Sequence, residues 1–204
     1  MVNFSLCSYP PDTIRDGKHR YKIDPSYQVV LKCQEVLGCD ALSDIDKIDI
    51  CVSLILRSRI RRYTLSAKTK TEIFRRYLDT FVGRGEKTEH VEKVMDLKQD
   101  AEAIYASFWQ CYGIDLLGRH KNLHWWTFLA LLGGLSDDTE LMRIISIRTR
   151  PMPKPTKYNA DERQALLKLK AKYRLKLSEE ERKKQYQEGL KKMAVMLQSW
   201  AEKK

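Results

Sequence analysis

The stretch 88–113, TEHVEKVMDLKQDAEAIYASFWQCYG, carries the pattern that decides the fold. Val91, Val94, Ala101, Ile104, Phe108 and Cys111 recur on one face at helical spacing, and Gly113 follows as a stop. The spacing predicts one helix of about 24 residues, from about Thr88 to Tyr112, long enough to be a spine for shorter helices.

Those shorter helices flank it on both sides. Upstream, Ile73, Phe74, Tyr77, Leu78 and Phe81 predict a helix from Ser66 that ends at Gly83-Arg84-Gly85, and Ile45, Ile48, Val52 and Ile55 predict another after Ser43. Asp24-Pro25 reads as the start of a helix with Tyr27, Val30, Leu31 and Val36 or Leu37 inward and Gly38 at its end. Before it, Phe4-Ser5-Leu6-Cys7 and His19–Ile23 alternate about Asp16-Gly17, a β-hairpin pattern. Downstream, Asn122 caps a predicted helix carrying Leu123, Trp126, Leu131 and Leu132, which stops at Gly133-Gly134. Ser136 caps another with Leu141, Ile144 and Ile145 inward.

Three prolines between Pro151 and Pro155 forbid helix continuation. The predicted organisation is therefore a helical domain with an N-terminal hairpin over 1–150, a Pro-rich hinge over 151–157 and a basic helical arm over 158–204. Asn159-x-x-Glu162 and Ser178-x-x-Glu181 fit capping boxes in the arm. Tyr186, Leu190, Met193, Leu197 and Trp200 form a 4-3-4-3 seam that needs cover from the chain's own core, a second copy or another protein. The fold class is mostly α.

The net charge of +11 is uneven. From Pro151 onward there are 15 Lys/Arg against 7 Asp/Glu, a net +8, which leaves +3 for residues 1–150. Two basic patches stand out, Arg57, Arg59, Arg61 and Arg62 in the interruption at 57–70, and Lys183, Lys184, Lys191 and Lys192 in the arm. Either is a solvated surface or a contact for an acidic protein, a nucleic acid or an anionic membrane. The five cysteines are odd in number, widely spaced and without a CxxC pair, the pattern of reduced thiols. The first residues lack a basic flank followed by an apolar core, and no apolar run approaches spanning length, so the expected location is cytoplasmic without membrane association.

The catalytic templates fail one by one. There is no GxSxG, HExxH, Walker or Rossmann pattern, and Gly83-Arg84-Gly85 lacks the Walker lysine. His120 and His124, even with Cys111, flank a helix start and do not make a zinc site; the plain reading is a His at a helix N-terminus and a His against Trp125 or Trp126. No enzyme activity, metal or cofactor is expected. Nucleic-acid binding is the competing class, since Tyr158, Tyr173 and Tyr186 interleave with basic residues, although Glu179, Glu180, Glu181 and Glu188 break the stripe.

The segments Phe108-Trp-Gln-Cys-Tyr-Gly-Ile-Asp-Leu116 and Leu123-His-Trp-Trp-Thr-Phe128, followed by Leu131, Leu135 and Ile144-Ile-Ser-Ile-Arg148, resemble the bacteriophage gp-fifteen family. The hairpin about Asp16-Gly17-Lys18 agrees, so the resemblance touches most of residues 1–150, with no family motif beyond Pro151. Asp24-Pro25-Ser26-Tyr27 stands where the family often has Asp-Phe-Arg. The family is similar to tail assembly chaperones of long-tailed phages of Gram-positive bacteria. The resemblance implies a chaperone-like factor in the host cytoplasm that binds the tape measure protein or the tail tube protein, with self-association possible and nucleic acid secondary. The alternative within the phage setting is a structural tail or connector component retained in the virion. For partner contact the reading places Trp126 in the core with Phe108 and Leu131, since adjacent helical residues diverge by about 100°. It offers Trp125, with the Tyr186–Trp200 seam, to the partner.

Overall fold

The computed structural model describes residues 7, 10–17, 19–57, 65–81, 93–118 and 122–176. These residues form a hairpin, β1 (Thr13–Asp16) and β2 (His19–Lys22), and seven helices. The helices are α1 (Tyr27–Leu37), α2 (Asp44–Ile55), α3 (Ala67–Phe81), α4 (Ala101–Tyr112), α5 (Trp125–Gly133), α6 (Glu140–Thr149) and α7 (Ala160–Lys172). The chain is mostly α, as its periodicity predicts. It forms two compact units, one of Met1–Glu92 with Glu102–Met142 and one of Lys93–Ala101 with Arg143–Lys204.

In the first unit the hairpin turns at the predicted dipeptide, but its first strand is Thr13–Asp16 and not Phe4–Cys7. Asp16 pairs with His19 and Thr13 with Lys22, which leaves two residues for the turn, and Gly17 supplies φ +55°. A connection that short pairs the residues immediately beside it. Cys7 lies in a turn, and Phe4–Leu6 are outside the described residues.

Helix α1 starts two residues later than Asp24-Pro25 suggests, with Ser26 at the N-cap. The Pro25 carbonyl accepts from Trp125 N (2.8 Å) and Tyr27 N donates to the Leu123 carbonyl (3.0 Å), so this backbone is extended and paired before the helix begins. Asp24 instead accepts from Ser26 N at 3.0 Å. Helices α2 and α3 follow their predicted stripes, with Ser43 capping α2 through Asp46 N (3.2 Å) and Ile73, Phe74, Tyr77 and Phe81 buried on α3. Ile45 is the exception, exposed in the first turn of α2.

An aromatic stack forms the centre of this unit. Tyr27 and Phe108 both stack on Phe128, at centroid distances of 4.7 and 5.2 Å, and Trp125 stacks on the same ring at 5.6 Å. Tyr77 and Phe81 lie beside each other on α3 at 4.7 Å. The Tyr77 hydroxyl is buried without a hydrogen-bond partner among the described residues. Cys33 and Cys51 are buried free thiols, and Cys51 donates to the Cys33 carbonyl at 3.9 Å.

The predicted 24-residue spine is replaced by a shorter helix. Residues 88–92 lie outside the described residues, Lys93–Asp96 are not helical, and α4 begins at Ala101. The cause is side-chain competition for backbone N–H groups. The Asp96 carboxylate accepts from Lys98 N (2.9 Å) and Gln99 N (2.8 Å), while the Asp100 carboxylate accepts from Asp96 N at 2.9 Å. These bonds close a separate turn over 97–100. At its other end α4 stops where predicted, at Gly113 with φ +62°.

Helix α6 begins at Glu140, not after Ser136. Buried Thr139 precedes it, and its hydroxyl donates to the Ser136 carbonyl at 2.8 Å.

In the second unit the chain after the prolines is tied back. Arg148 pairs with both carboxylate oxygens of Asp100 at 2.7 Å and also donates to the Val94 carbonyl (3.0 Å) and the Tyr173 carbonyl (2.6 Å). Lys170 donates to the Arg148 carbonyl (2.7 Å), Arg163 to the Pro153 carbonyl, and Gln99 to the Arg174 carbonyl (2.9 Å). Residues 158–176 are therefore held inside this unit. The Asn159 capping box does not form: the Asn159 side chain accepts from Thr156 N (2.8 Å) and donates to the Lys154 carbonyl (2.9 Å), which stabilises the loop instead.

Candidate partner-binding surfaces

The residues that carry the family resemblance mostly build the core. Phe108 is fully buried, Gly113 closes α4, and Ile114 N reaches back to the Phe108 carbonyl at 3.4 Å. Asp115 then accepts from Leu117 N (3.0 Å), Gly118 N (2.9 Å) and the Tyr105 hydroxyl (3.3 Å), which fixes the loop. Leu116 is buried, and its carbonyl accepts from the Tyr27 hydroxyl at 2.6 Å.

His124 is the N-cap of α5. Its Nδ1 accepts from Trp126 N at 3.1 Å, so the proton sits on Nε2, which faces the Pro11 carbonyl at 3.3 Å. Burial holds its pKa below the ordinary value, against a weaker upward pull from Pro11 and Asp12. Its ring meets Trp126 edge-on at 5.6 Å, the tryptophan contact expected of one of the two histidines; the other, His120, lies outside the described residues. Among the described residues no group of three or more His, Cys, Asp or Glu could hold a metal ion. No helix among them is long and apolar enough to cross a membrane.

It is Trp125, and not Trp126, that is buried in the core. Trp125, expected at the surface, is 5% exposed and donates from Nε1 to the Phe81 carbonyl at 2.8 Å. Trp126, expected in the core, is half-buried beside Phe81 and His124. A buried indole needs a partner for its N–H, and the free carbonyl at the end of α3 provides one for Trp125 alone. Of the other proposed residues, Arg57 is exposed just after α2. Arg59, Arg61, Arg62, Lys183, Lys184, Lys191, Lys192, Tyr186, Leu190, Met193, Leu197 and Trp200 lie outside the described residues.

Among the described residues, besides Tyr158 at 91% exposure, the aromatic most open to solvent is Trp109, 55% exposed on α4. It stands one turn beyond half-buried Tyr105, whose hydroxyl holds the Asp115 turn, and that turn projects Leu117, 73% exposed. Tyr105, Trp109 and Leu117 thus belong to one braced stretch carrying apolar groups into solvent, the composition of an interface anchor. The signal was present in the sequence, because Trp109 falls off the stripe of Ala101, Ile104, Phe108 and Cys111.

The molecule is thus an α-helical protein with an N-terminal hairpin whose exposed features suit binding. It belongs to the family described as Bacteriophage Gp15 protein, whose model matches residues 12–175. The match continues through the proline segment and α7, beyond the limit set by the sequence motifs. Comparison with curated proteins and with solved structures gave no match.

Proposed function

We propose that this phage protein is a chaperone-like tail assembly factor that binds the tape measure protein, the tail tube protein or both during tail morphogenesis in the host cytoplasm, without catalytic activity. The observation that carries the reading is membership of the Gp15 family across residues 12–175. Such a factor must cover apolar surfaces of subunits that await polymerisation, which requires exposed apolar anchors. The Trp109 stretch supplies one, with Trp109 and Leu117 exposed. The test is a pull-down of tagged protein from cells that co-express the neighbouring tail tube and tape measure proteins, washed with nuclease and elevated salt. Retention of either protein, weakened by Trp109→Ala in a variant that melts like the parent, supports the proposal. Loss of both, with nucleic acid recovered when nuclease is omitted, overturns it. Detection of the protein in purified particles would favour a structural tail component instead.

A further inference from the structure

The described part of the second unit is far more basic than the chain as a whole. Residues 143–176 hold eleven Lys/Arg against two Asp/Glu, a net +9. The two acids, Asp161 and Glu162, sit in the first turn of α7, where they complement the helix dipole. Arg148 is matched by Asp100, and Arg163 and Lys170 donate to backbone carbonyls. Lys168, Lys172, Arg174 and Lys176 are exposed, and among the described residues none of them has an ion-pair partner.

The outer side of α7 is not only cationic. Leu166 faces inward and is buried, whereas Leu167 and Leu169 are 54% and 39% exposed. These two leucines lie about 100° to either side of Lys168, and Lys172 follows one turn later. A lysine ridge between two exposed leucines rewards a partner that offers carboxylates and apolar groups together.

We propose that the outer side of α7, formed by Leu167, Lys168, Leu169 and Lys172, is a docking surface for an acidic amphipathic helix of a partner protein. A nucleic acid would reward the lysines and leave both leucines in water. The nearest aromatic, Tyr173, is not free to stack on a base. Its ring lies 5.7 Å from the Arg143 guanidinium and 5.1 Å from the Lys172 ammonium, and its hydroxyl accepts from Arg143 at 3.2 Å. A membrane-surface helix separates its apolar and charged faces, whereas the leucines and lysines of α7 alternate around it. The inference rests on this surface chemistry and not on the tail-assembly reading, so either can fail alone.

The test is fluorescence anisotropy on the full chain with a labelled peptide of three heptads, Leu on one face and Glu on the others. The controls are the Lys-for-Glu peptide, a DNA duplex of about two helical turns, and phosphatidylserine vesicles. The Glu/Leu peptide binds, and salt weakens it. Lys168→Glu with Lys172→Glu lowers its affinity by about tenfold or more and creates affinity for the Lys/Leu peptide. Leu167→Ser with Leu169→Ser lowers affinity with the salt dependence retained. Circular dichroism confirms that each variant is folded, and the gained affinity of the charge-reversed form cannot come from misfolding. Failure of the wild-type chain to bind the Glu/Leu peptide overturns the proposal. So does tighter binding to duplex or vesicles that is indifferent to the leucines.

Discussion

Arg148 and Asp100, 48 residues apart, meet in a two-point ion pair with both contacts at 2.7 Å and almost no solvent access, the side chains being 9% and 3% exposed. The same guanidinium also bonds the Val94 and Tyr173 carbonyls, so one side chain joins three segments of the second unit. Removing one member of a buried pair strands the other. Arg148→Ala is therefore expected to cost about 3–5 kcal/mol, and Arg148→Met with Asp100→Leu to recover most of it. Denaturant unfolding of the single and double variants checks this; equal loss in both would show that the backbone bonds dominate and not the stranded charge.

Tyr77 predicts the opposite sign. Its hydroxyl is buried without a partner among the described residues, and burial pushes its pKa up. Tyr77→Phe removes a desolvated polar group from a packed site and is expected to leave stability unchanged or raise it by about 1 kcal/mol. A clear loss in the urea midpoint would mean that the hydroxyl has a partner after all.

His124 links stability to pH. Its folded pKa lies below the ordinary 6.5, mainly through burial. Its contribution is thus complete above that value and is lost as pH falls through the lower folded value. Protonation would place a hydrogen on the Nδ1 that accepts from Trp126 N. Melting temperatures from pH 7.5 downward should decline in the wild type, and His124→Asn, which keeps an acceptor, should flatten that decline.

Gly17 tests the hairpin. Its φ is +55°, and an added Cβ meets nothing within 4 Å, so the cost of a side chain there is backbone strain alone. Gly17→Val should destabilise by roughly 1–2 kcal/mol and Gly17→Asn by less. Thermal melts of the two variants measure the difference.

What the sequence makes legible is local. The stripes of α2 and α3, the positive-φ glycines at 17 and 113 and the contact of His124 with a tryptophan all follow from spacing and residue type. The break in the spine is not legible, because apolar periodicity is blind to Asp96 and Asp100, whose carboxylates take the N–H groups that a helix continuing from Thr88 would use. The burial of Trp125 is not legible, because the Phe81 carbonyl that receives its N–H is 44 residues distant. Division of the chain at Pro151–Pro155 does not anticipate the bonds that hold α7, since Arg148 and its partners span the prolines. Trp109 is readable as an aromatic outside the apolar stripe, but the bond from Tyr105 to Asp115 that braces the turn before Leu117 depends on the fold.

The backbone pairing of Pro25 and Tyr27 with Trp125 and Leu123 has a consequence for synthesis. At the ribosome's pace of about 5–20 residues per second, the segment before α1 waits on the order of 5–20 s for its partner strand to be translated. The second unit waits in the same way, because Lys93–Ala101 is completed only by residues from Arg143 onward. Neither unit can close on the nascent chain in order of appearance. A newly made copy therefore spends its first seconds with unpaired backbone and bare aromatic surface, and premature termination before about residue 125 should leave a fragment that aggregates or is degraded rather than a smaller working protein.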